Sequence, residues 1–379
     1  MTATPVTSIQ AHFAHVEDPR IDRKKAHSLL DMFVLAICAI ICGANDWVAV
    51  EEFGNAKHAW LHGFLDLPNG IPSHDTFGRV FARLDPDQVE QGFTNWFAAL
   101  HEATAGEVIA VDGKRLRQSA DRAWGRAAIE MVSAWASTNR LVLGQEKVAT
   151  GSNEITAVPA LLERLVLEGC IVTLDAMHCQ TETAATILDQ DADYVLTVKQ
   201  NQPTLYAGIE QAFAQAHTTN VLGTAGDRFQ TTENGHGRWE RRTYRTLTDA
   251  QLLQAIDPTG CWPGLQAIGM VRSERQEAGK SLTIETRYYI MSLDGNAQTF
   301  GHAVRSHWGV ENEVHWLLDV VFREDASHLR VGKGPENMAI LRRLAVNLLH
   351  REQSRKRGMQ TKRLRAGWDE DYLLKLLVG

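Results

Sequence analysis

The order of elements along this 379-residue chain predicts an α/β fold on a mixed sheet, and three observations carry that reading. Short apolar runs at Val108–Val111, Cys170–Leu174 and Tyr194–Lys199 read as buried strands. Stretches with helical spacing at Asn153–Leu167, Thr181–Leu188 and Pro203–Ala216 read as crossover helices. Ile129–Ser137 and Leu141–Ala149, flanking Thr138-Asn139-Arg140, read as a hairpin.

Taken in order, the segment reads strand, hairpin, helix, strand, helix, strand, helix. That is the order of a ribonuclease-H-like fold, with a mixed sheet of five strands and helices crossing over between them. Ahead of it, residues 1–19 read as a loose leader and 27–104 as helices in series. The first is His27–Ala44, and the second follows Asp46 through Phe64. The third starts at a Ser73 cap, with Phe77, Val80, Phe81 and Leu84 on one face; the fourth follows Pro86 to about Thr104. The Pro-Ser entry to the third helix fits a helix-turn-helix or a helical packing domain equally well. Residues 219–292 break the alternation with β-type runs (Arg238–Leu247, Leu282–Ser292) and turn clusters, and read as a β-rich insertion. Helical spacing returns from Gln298 to Val321, and a last amphipathic helix starts at Gly334-Pro335-Glu336.

Composition excludes several classes. With 44% hydrophobic and 22% charged residues the chain is neither disordered nor collagen-like nor a small disulfide scaffold. The longest apolar run, Phe33–Cys42, is about half of what a membrane-spanning helix needs. No charged start leads into an early apolar region, so no signal peptide is read. Five cysteines without a CxxC pair point to a reducing cytoplasm and no structural zinc. The net charge of −7 argues against a uniformly basic nucleic-acid binder, yet three segments are locally basic. They are Arg20–Lys25, His236–Arg245 with Trp239 and Tyr244 interleaved, and Arg342–Arg365 with nine bases against Glu352. Three such segments in an acidic chain suggest a polyanionic partner.

Two apolar strands end in carboxylates, Asp112 and Asp175. A single such Asp is commonly a turn cap, but two on neighbouring parallel strands, roughly 4.8 Å apart, could face one ion. Mg²⁺ takes oxygen ligands and keeps waters, so few carboxylates suffice when phosphate oxygens complete its shell. A third acid is expected within Arg305–Asp319. Asp189-x-Asp191-x-Asp193 resembles the start of a calcium loop but lacks its Gly, and reads as a helix-ending turn. His307, Glu311 and His315 recur every four residues, either a metal stripe or groups that meet DNA phosphate and pack on Trp308 and Trp316. Lys114, Arg117 and Lys199 stand near the acids and could hold phosphates, and His178 could assist proton transfer.

A collinear set of segments then resembles the DDE transposases of bacterial insertion sequences, specifically the H-repeat-associated group. The segments are Gly70-Ile-Pro-Ser-His-Asp-Thr-Phe, Val111-Asp-Gly-Lys, Ser152-Asn-Glu-Ile, Thr173-Leu-Asp-Ala-Met and Lys199-Gln-Asn-Gln. Gly235-His-Gly-Arg, Arg287-Tyr-Tyr-Ile and His307-Trp-Gly-Val-Glu-Asn-Glu-Val-His-Trp-Leu-Leu-Asp-Val follow. The resemblance implies that Asp112, Asp175 and Glu311 form the acidic triad, holding two Mg²⁺ ions for which Mn²⁺ could substitute. Related transposases carry Tyr-x2-Arg-x3-Glu-x6-Lys around the third acid; here those places hold Val304, His307, Glu311 and Leu318. Gly151 stands where a Lys is expected.

The expectation is a transposase that nicks DNA at insertion-sequence ends and joins the freed strand to target DNA. The rivals are a domesticated, non-catalytic DNA-binding regulator and a metal-dependent nuclease without strand transfer. DNA contacts are expected from Lys114, Arg117, Lys199, Asn201, Arg238, Trp239, Arg242, His307, His315, Arg355, Lys356 and Arg357. The expected division is a helical N-terminal domain at 1–104, the first part of the catalytic core at 105–218, the β-rich insertion at 219–292, a catalytic helix closing the core at 293–332, and a basic helix and tail at 333–379. Paired ends imply an oligomer, and the protein is expected in the cytoplasm, nucleoid-associated and away from membranes.

Overall fold

The computed structural model describes residues 9, 11–98, 106–120, 127–149, 153–219, 226–235, 237–354 and 356–378. Its helices are α1 (Leu29–Cys42), α2 (Trp47–Ala56), α3 (His74–Phe81), α4 (Pro86–Ala98), α5 (Glu154–Leu162), α6 (Thr181–Leu188), α7 (Pro203–Thr219) and α8 (Ala250–Ile256). They continue with α9 (Ala297–Gly309), a π-helix (Val310–His315), α10 (Trp316–Val320), α11 (Gly334–Arg351), α12 (Met359–Trp368) and α13 (Glu370–Val378). Strands are β1 (Val108–Leu116), β2 (Ile129–Ala136), β3 (Leu141–Lys147), β4 (Ile171–Leu174) and β5 (Asp193–Val198). The remaining strands are β6 (Gly226–Gly235), β7 (Arg238–Leu247), β8 (Ala267–Glu277) and β9 (Thr283–Met291).

Two compact units divide the chain discontinuously: a helical unit (1–102, 113–150, 311–379) and a sheet unit (103–112, 151–310). Strand β1 contributes its first half to the sheet unit and its second half to the helical unit.

In the sheet unit the strand order is β1-β4-β5-β9-β8-β7-β6. The pairs β1–β4 and β4–β5 are parallel, joined by crossover helices as the α/β reading requires. The insertion is not a separate body. Strand β9 pairs antiparallel with β5, and β8, β7 and β6 extend the same sheet. Pairing with β9 covers the edge that β5 would otherwise expose. The core on one face is built from Val108, Ile171, Val195, Tyr244, Val271, Tyr289 and Phe300.

The helical unit contains the β2–β3 hairpin, with β2 beside β1. Helix α1 is capped by Ser28, whose Oγ accepts from Asp31 N, and ends at Gly43, whose φ of 123° lies in the region that favours glycine. Its apolar residues do not alternate with polar ones, and the helix is buried almost all round. The segment read as a leader is partly docked: Phe13 is buried against Phe33 and Trp96.

Helix α11 departs from the amphipathic expectation. It is buried on every face, including Asn337, Arg342, Arg343 and Asn347. Each of these finds a partner, as burial demands. Asn337 Nδ2 donates to Phe81 O (2.7 Å) and Arg342 Nη2 to Asn45 O (3.1 Å). Asn347 exchanges two 2.8 Å bonds with the backbone of Val142 on β3. The basic tail likewise folds into α12 and α13. Arg363 is buried, donating to Ile40 O (2.8 Å), Ile41 O (3.3 Å) and Val321 O, with Phe322 under its guanidinium. Three of the nine bases counted as a charged surface are therefore internal ties.

Among the described residues no single helix is long and apolar enough to cross a membrane.

Arg363→Ala should orphan the carbonyls at the end of α1 and destabilise the protein by about 2–4 kcal/mol. A urea unfolding curve would show the loss, and an unchanged midpoint would remove Arg363 from the framework.

Candidate active site

The parallel register of β1 on β4 pairs Ala110 with Thr173 and Val111 with Leu174, so Asp112 and Asp175 are the next residues of the two strands. Strands about 4.8 Å apart bring paired side chains to one face. Asp175 ends its strand as expected, at the N-cap of a short 3-10 helix (Ala176–His178). Asp112 does not: β1 runs on through Gly113 to Leu116.

Thr173 and Asp175, two residues apart, share a face, and His307 from the last turn of α9 meets both. Its Nδ1 lies 2.9 Å from Thr173 Oγ1 and its Nε2 3.7 Å from Asp175 Oδ1. The His307 hydrogen bond holds the Asp175 carboxyl below its usual range against partial desolvation, helped by the charges of His307, Lys199 and His178. His307 thus faces the acid.

The loop behind Asp175 is tied from three sides. Asn201 Nδ2 donates to Ala176 O (2.7 Å) and Gln202 Nε2 to Cys179 O (2.9 Å), which is what the Lys199-Gln-Asn-Gln segment does locally. His178 is buried, with Nε2 3.4 Å from Glu154. That carboxylate sits in the first turn of α5, behind the Asn153 cap. Asn201 and His178 thus help to hold this loop in place. Lys199 is exposed. Asp189 to Asp193 forms the turn ending α6, with Asp191 at φ 53°.

Two in-register carboxylates, one kept ionised, form a hard oxygen donor set that suits a divalent cation. Among the described residues no three His, Cys, Asp or Glu side chains gather as a metal site.

In the helical unit, Glu311 is exposed on the π-helix, a wider i→i+5 turn that abandons the four-residue spacing of the His307, Glu311, His315 stripe. His315 is half-buried at its end. The neighbouring acids are engaged. Glu313 pairs with Arg140 at 2.7 Å. Asp319 (2.6 Å), Glu324 (3.0 Å) and Asp325 (3.5 Å) surround the Lys114 ammonium. Glu311 alone of these five makes no ion pair among the described residues.

Lys114 is therefore committed to carboxylates and buried, contrary to the expected phosphate contact. Glu324 and Asp319 outweigh its desolvation and raise its pKa. Glu324 is buried too; Arg343, Lys114 and Arg342 overcome its desolvation and bring it down to about 2. Arg343 Nη1 lies 3.1 Å from it, and Arg343 Nε donates to Ser133 Oγ (3.3 Å). Arg117 is exposed and reaches Asp325 at 3.3 Å. Lys356 and Arg357 are exposed, and Arg355 lies outside the described residues, as do Gly151, Ser152 and His236.

The β7 arginines differ from the expected clasp because strand alternation splits them. Trp239 and Arg241 share one face, with Arg241 over the Trp239 ring at 5.5 Å and bonded to Glu274 at 2.5 Å. Arg238 and Arg242 point the other way, both to Glu240, and Arg242 also lies 3.4 Å from Glu233. Register instead places Arg228 beside Arg245, and Arg272 one pair along, on the face shared with Trp239. Desolvation and these two neighbours lower the pKa of Arg245. Residue spacing alone misses this row, because it spans three strands.

The mixed sheet, with its parallel β1–β4 and β4–β5 pairs, is that of the ribonuclease-H-like class. Residues 103–348 match the family described as Transposase DDE domain, and residues 10–97 match the DDE_Tnp_1-associated family. The chain belongs to the DDE transposase family. It is 38% identical to "Putative transposase YncI" of Escherichia coli O157:H7 over 99% of this chain and 95% of that one. It is also 38% identical to "H repeat-associated putative transposase YhhI" of Escherichia coli strain K12, over 98% of each. A shorter relative, "Inactive transposase YbfQ" of the same strain, is 39% identical over 20% of this chain and 89% of its own. The family implies DNA as partner and a divalent metal as cofactor.

Glu324 contributes stability that is fully present above its unfolded pKa of 4.5 and is lost as pH falls from there toward 2. A shift of that size corresponds to roughly 3 kcal/mol. Glu324→Gln should therefore lose about that much at pH 7 and show a flatter stability profile between pH 4.5 and 2, read by denaturant titrations across that window.

Proposed function

We propose that this transposase cleaves DNA at the ends of an insertion sequence and transfers the freed strand into target DNA, with Asp112, Asp175 and Glu311 as its catalytic acids. The observation that carries the reading is the parallel β1–β4 register, which runs to Val111 and Leu174 and so puts Asp112 and Asp175 next along the chain on adjacent strands. Glu311 joins them by its place in the family motif and by being uncommitted where its four acidic neighbours are paired.

The three carboxylates would hold two Mg²⁺ ions, or Mn²⁺ in their place, which when bound clamp the attacking and leaving oxygens of an in-line displacement. His307, fixed through Thr173, keeps Asp175 ionised and oriented. Asn201 and Gln202 hold the loop that carries Asp175. In the first step water's oxygen joins phosphorus at the element end as the bond to the 3′ oxygen breaks. The released 3′-hydroxyl then attacks a target phosphodiester, its oxygen joining that phosphorus as the bond to the target strand's own 3′ oxygen breaks and that oxygen leaves with a proton. The substrate is terminal-repeat DNA, bound with Lys199, Arg117, Lys356 and Arg357 near phosphates and Trp239 on the sheet face. Assembly on paired ends would be oligomeric, in the cytoplasm at the nucleoid.

Asp112→Asn, Asp175→Asn and Glu311→Gln should each abolish Mg²⁺-dependent nicking of a plasmid carrying the element ends, while filter binding of the same DNA persists. Glu313→Gln should keep substantial activity. A wild-type chain that binds ends and never nicks would identify a non-catalytic regulator; nicking without joined products would identify a nuclease.

The Arg228, Arg245 and Arg272 row predicts a polyanion contact, since like charges side by side on a sheet repel. Replacing all three with Ala should reduce the salt dependence of end binding by about 0.9 in log–log slope for each phosphate that is no longer neutralised. An unchanged slope would leave the row without a DNA role.

A further inference from the structure

A cavity of about 740 Å³ opens within the helical unit, where the β2–β3 turn, the end of α11 and the segment leading into α12 meet. Its size lies within the range of small-molecule and cofactor sites. Cations dominate its wall: Arg140, Lys356, Arg357 and Lys362. Lys362 Nζ donates to the carbonyls of Leu349 and Glu352, which leaves one of its three N–H groups for the cavity. Lys356 and Arg357 are exposed and make no ion pair among the described residues. The one acid of the lining, Glu352, is already satisfied by Lys375 (3.0 Å), Tyr372 (3.0 Å) and the Ser354 amide (2.9 Å). Arg140 is held by Glu313 at 2.7 Å, so the positive charge that an entering anion meets uncompensated is that of Lys356 and Arg357.

A second observation narrows the ligand. His350 lines the same cavity with only 9% of its surface exposed. Its ring is held edge-on to Trp135 at 5.5 Å and donates to the backbone carbonyl of Glu313, while Nε2 is buried with no partner among the described residues. Burial, with Arg140 nearby, pushes its pKa down to about 4, so the ring is neutral near pH 7. A neutral imidazole that donates through one nitrogen accepts at the other. The missing partner is therefore a hydrogen-bond donor, and Leu317 and Met359 supply apolar surface beside it.

We propose that this cavity binds a nucleotide, its phosphate held by Lys356, Arg357 and Lys362 and a base or sugar donor taken by His350 Nε2. Either an unpaired nucleotide of a DNA strand or a free nucleotide presents that chemistry. The site lies wholly in the helical unit and uses none of the catalytic acids.

Calorimetric titration of the full chain in EDTA, with dAMP and with inorganic phosphate, tests it. Running without divalent metal separates this outcome from that of the cleavage reading. Binding of dAMP about tenfold tighter than phosphate is expected, with Lys356→Ala combined with Arg357→Ala weakening both by about tenfold. His350→Phe should reduce dAMP to the level of phosphate. Should that variant fail to fold, the His350 ring resonances of the wild-type protein must still shift with dAMP and not with phosphate. Displacement of dAMP by a single-stranded 12-mer but not by its blunt duplex assigns the site to a DNA strand, and no displacement by either assigns it to free nucleotide. Equal affinity for dAMP and phosphate, or dAMP binding untouched by the Lys356 and Arg357 changes, would overturn the proposal.

Discussion

A helix buried on all sides can keep polar side chains only where each finds a partner, and α11 sets this constraint for the helical unit. Asn337, Arg342 and Asn347 reach the end of α3, the loop after α1 and strand β3. Arg343 carries the linkage further, to Ser133 and Glu324, and Glu324 in turn anchors Lys114. An apolar replacement of similar volume could preserve packing at any one of these positions. It would leave the facing carbonyl or carboxylate stranded, which is the more expensive half of a broken buried pair. Helix positions that look like surface charge in a linear reading are thus the joints of this unit.

Local chemistry made much of the structure legible. Ser73 and Asp46 cap their helices, Asn139 and Arg140 turn the hairpin, and short apolar runs mark β4 and β5. What escaped were elements whose burial comes from distant partners. Strand β8 has a polar second half and β6 is mostly exposed, so neither carries an apolar signal; both exist because β7 and β9 offer them hydrogen bonds. The same limit governs the site. Asp112 and Asp175 were readable as paired carboxylates, since strand ends and element order are local properties. The engagement of Lys114 with Asp319 spans 205 residues, and nothing near Lys114 announces it.

Several segments that carry the family resemblance turn out to support the acids without joining them. The Asn201 and Gln202 amides, the His178 contact with Glu154, and the Asn153 cap all converge on the few residues that follow Asp175. A carboxylate at a strand end is positioned only as well as the turn beyond it. Fixing that turn through backbone carbonyls does not draw on the acid's own oxygens. His307 meets the remaining need, an orienting group at the side of Asp175, and Thr173 in turn fixes its ring.

Net charge says little about which partner this chain attracts. Among the described residues eight acids are buried, but only four Lys or Arg side chains. Those interior acids contribute to the formal −7 while lying out of reach of a ligand that approaches through solvent. The accessible surface is accordingly less acidic than the total, and its positive charge is gathered in places: the Arg228, Arg245 and Arg272 row and the cavity beside Lys356 and Arg357. A polyanion responds to the local potential that exposed, unpaired cations create, and a net charge summed over buried pairs is a poor measure of it. An acidic DNA-directed protein is therefore no contradiction here. Some of its buried acids, Glu324 above all, hold arginine and lysine in the framework, while Lys356 and Arg357 remain exposed.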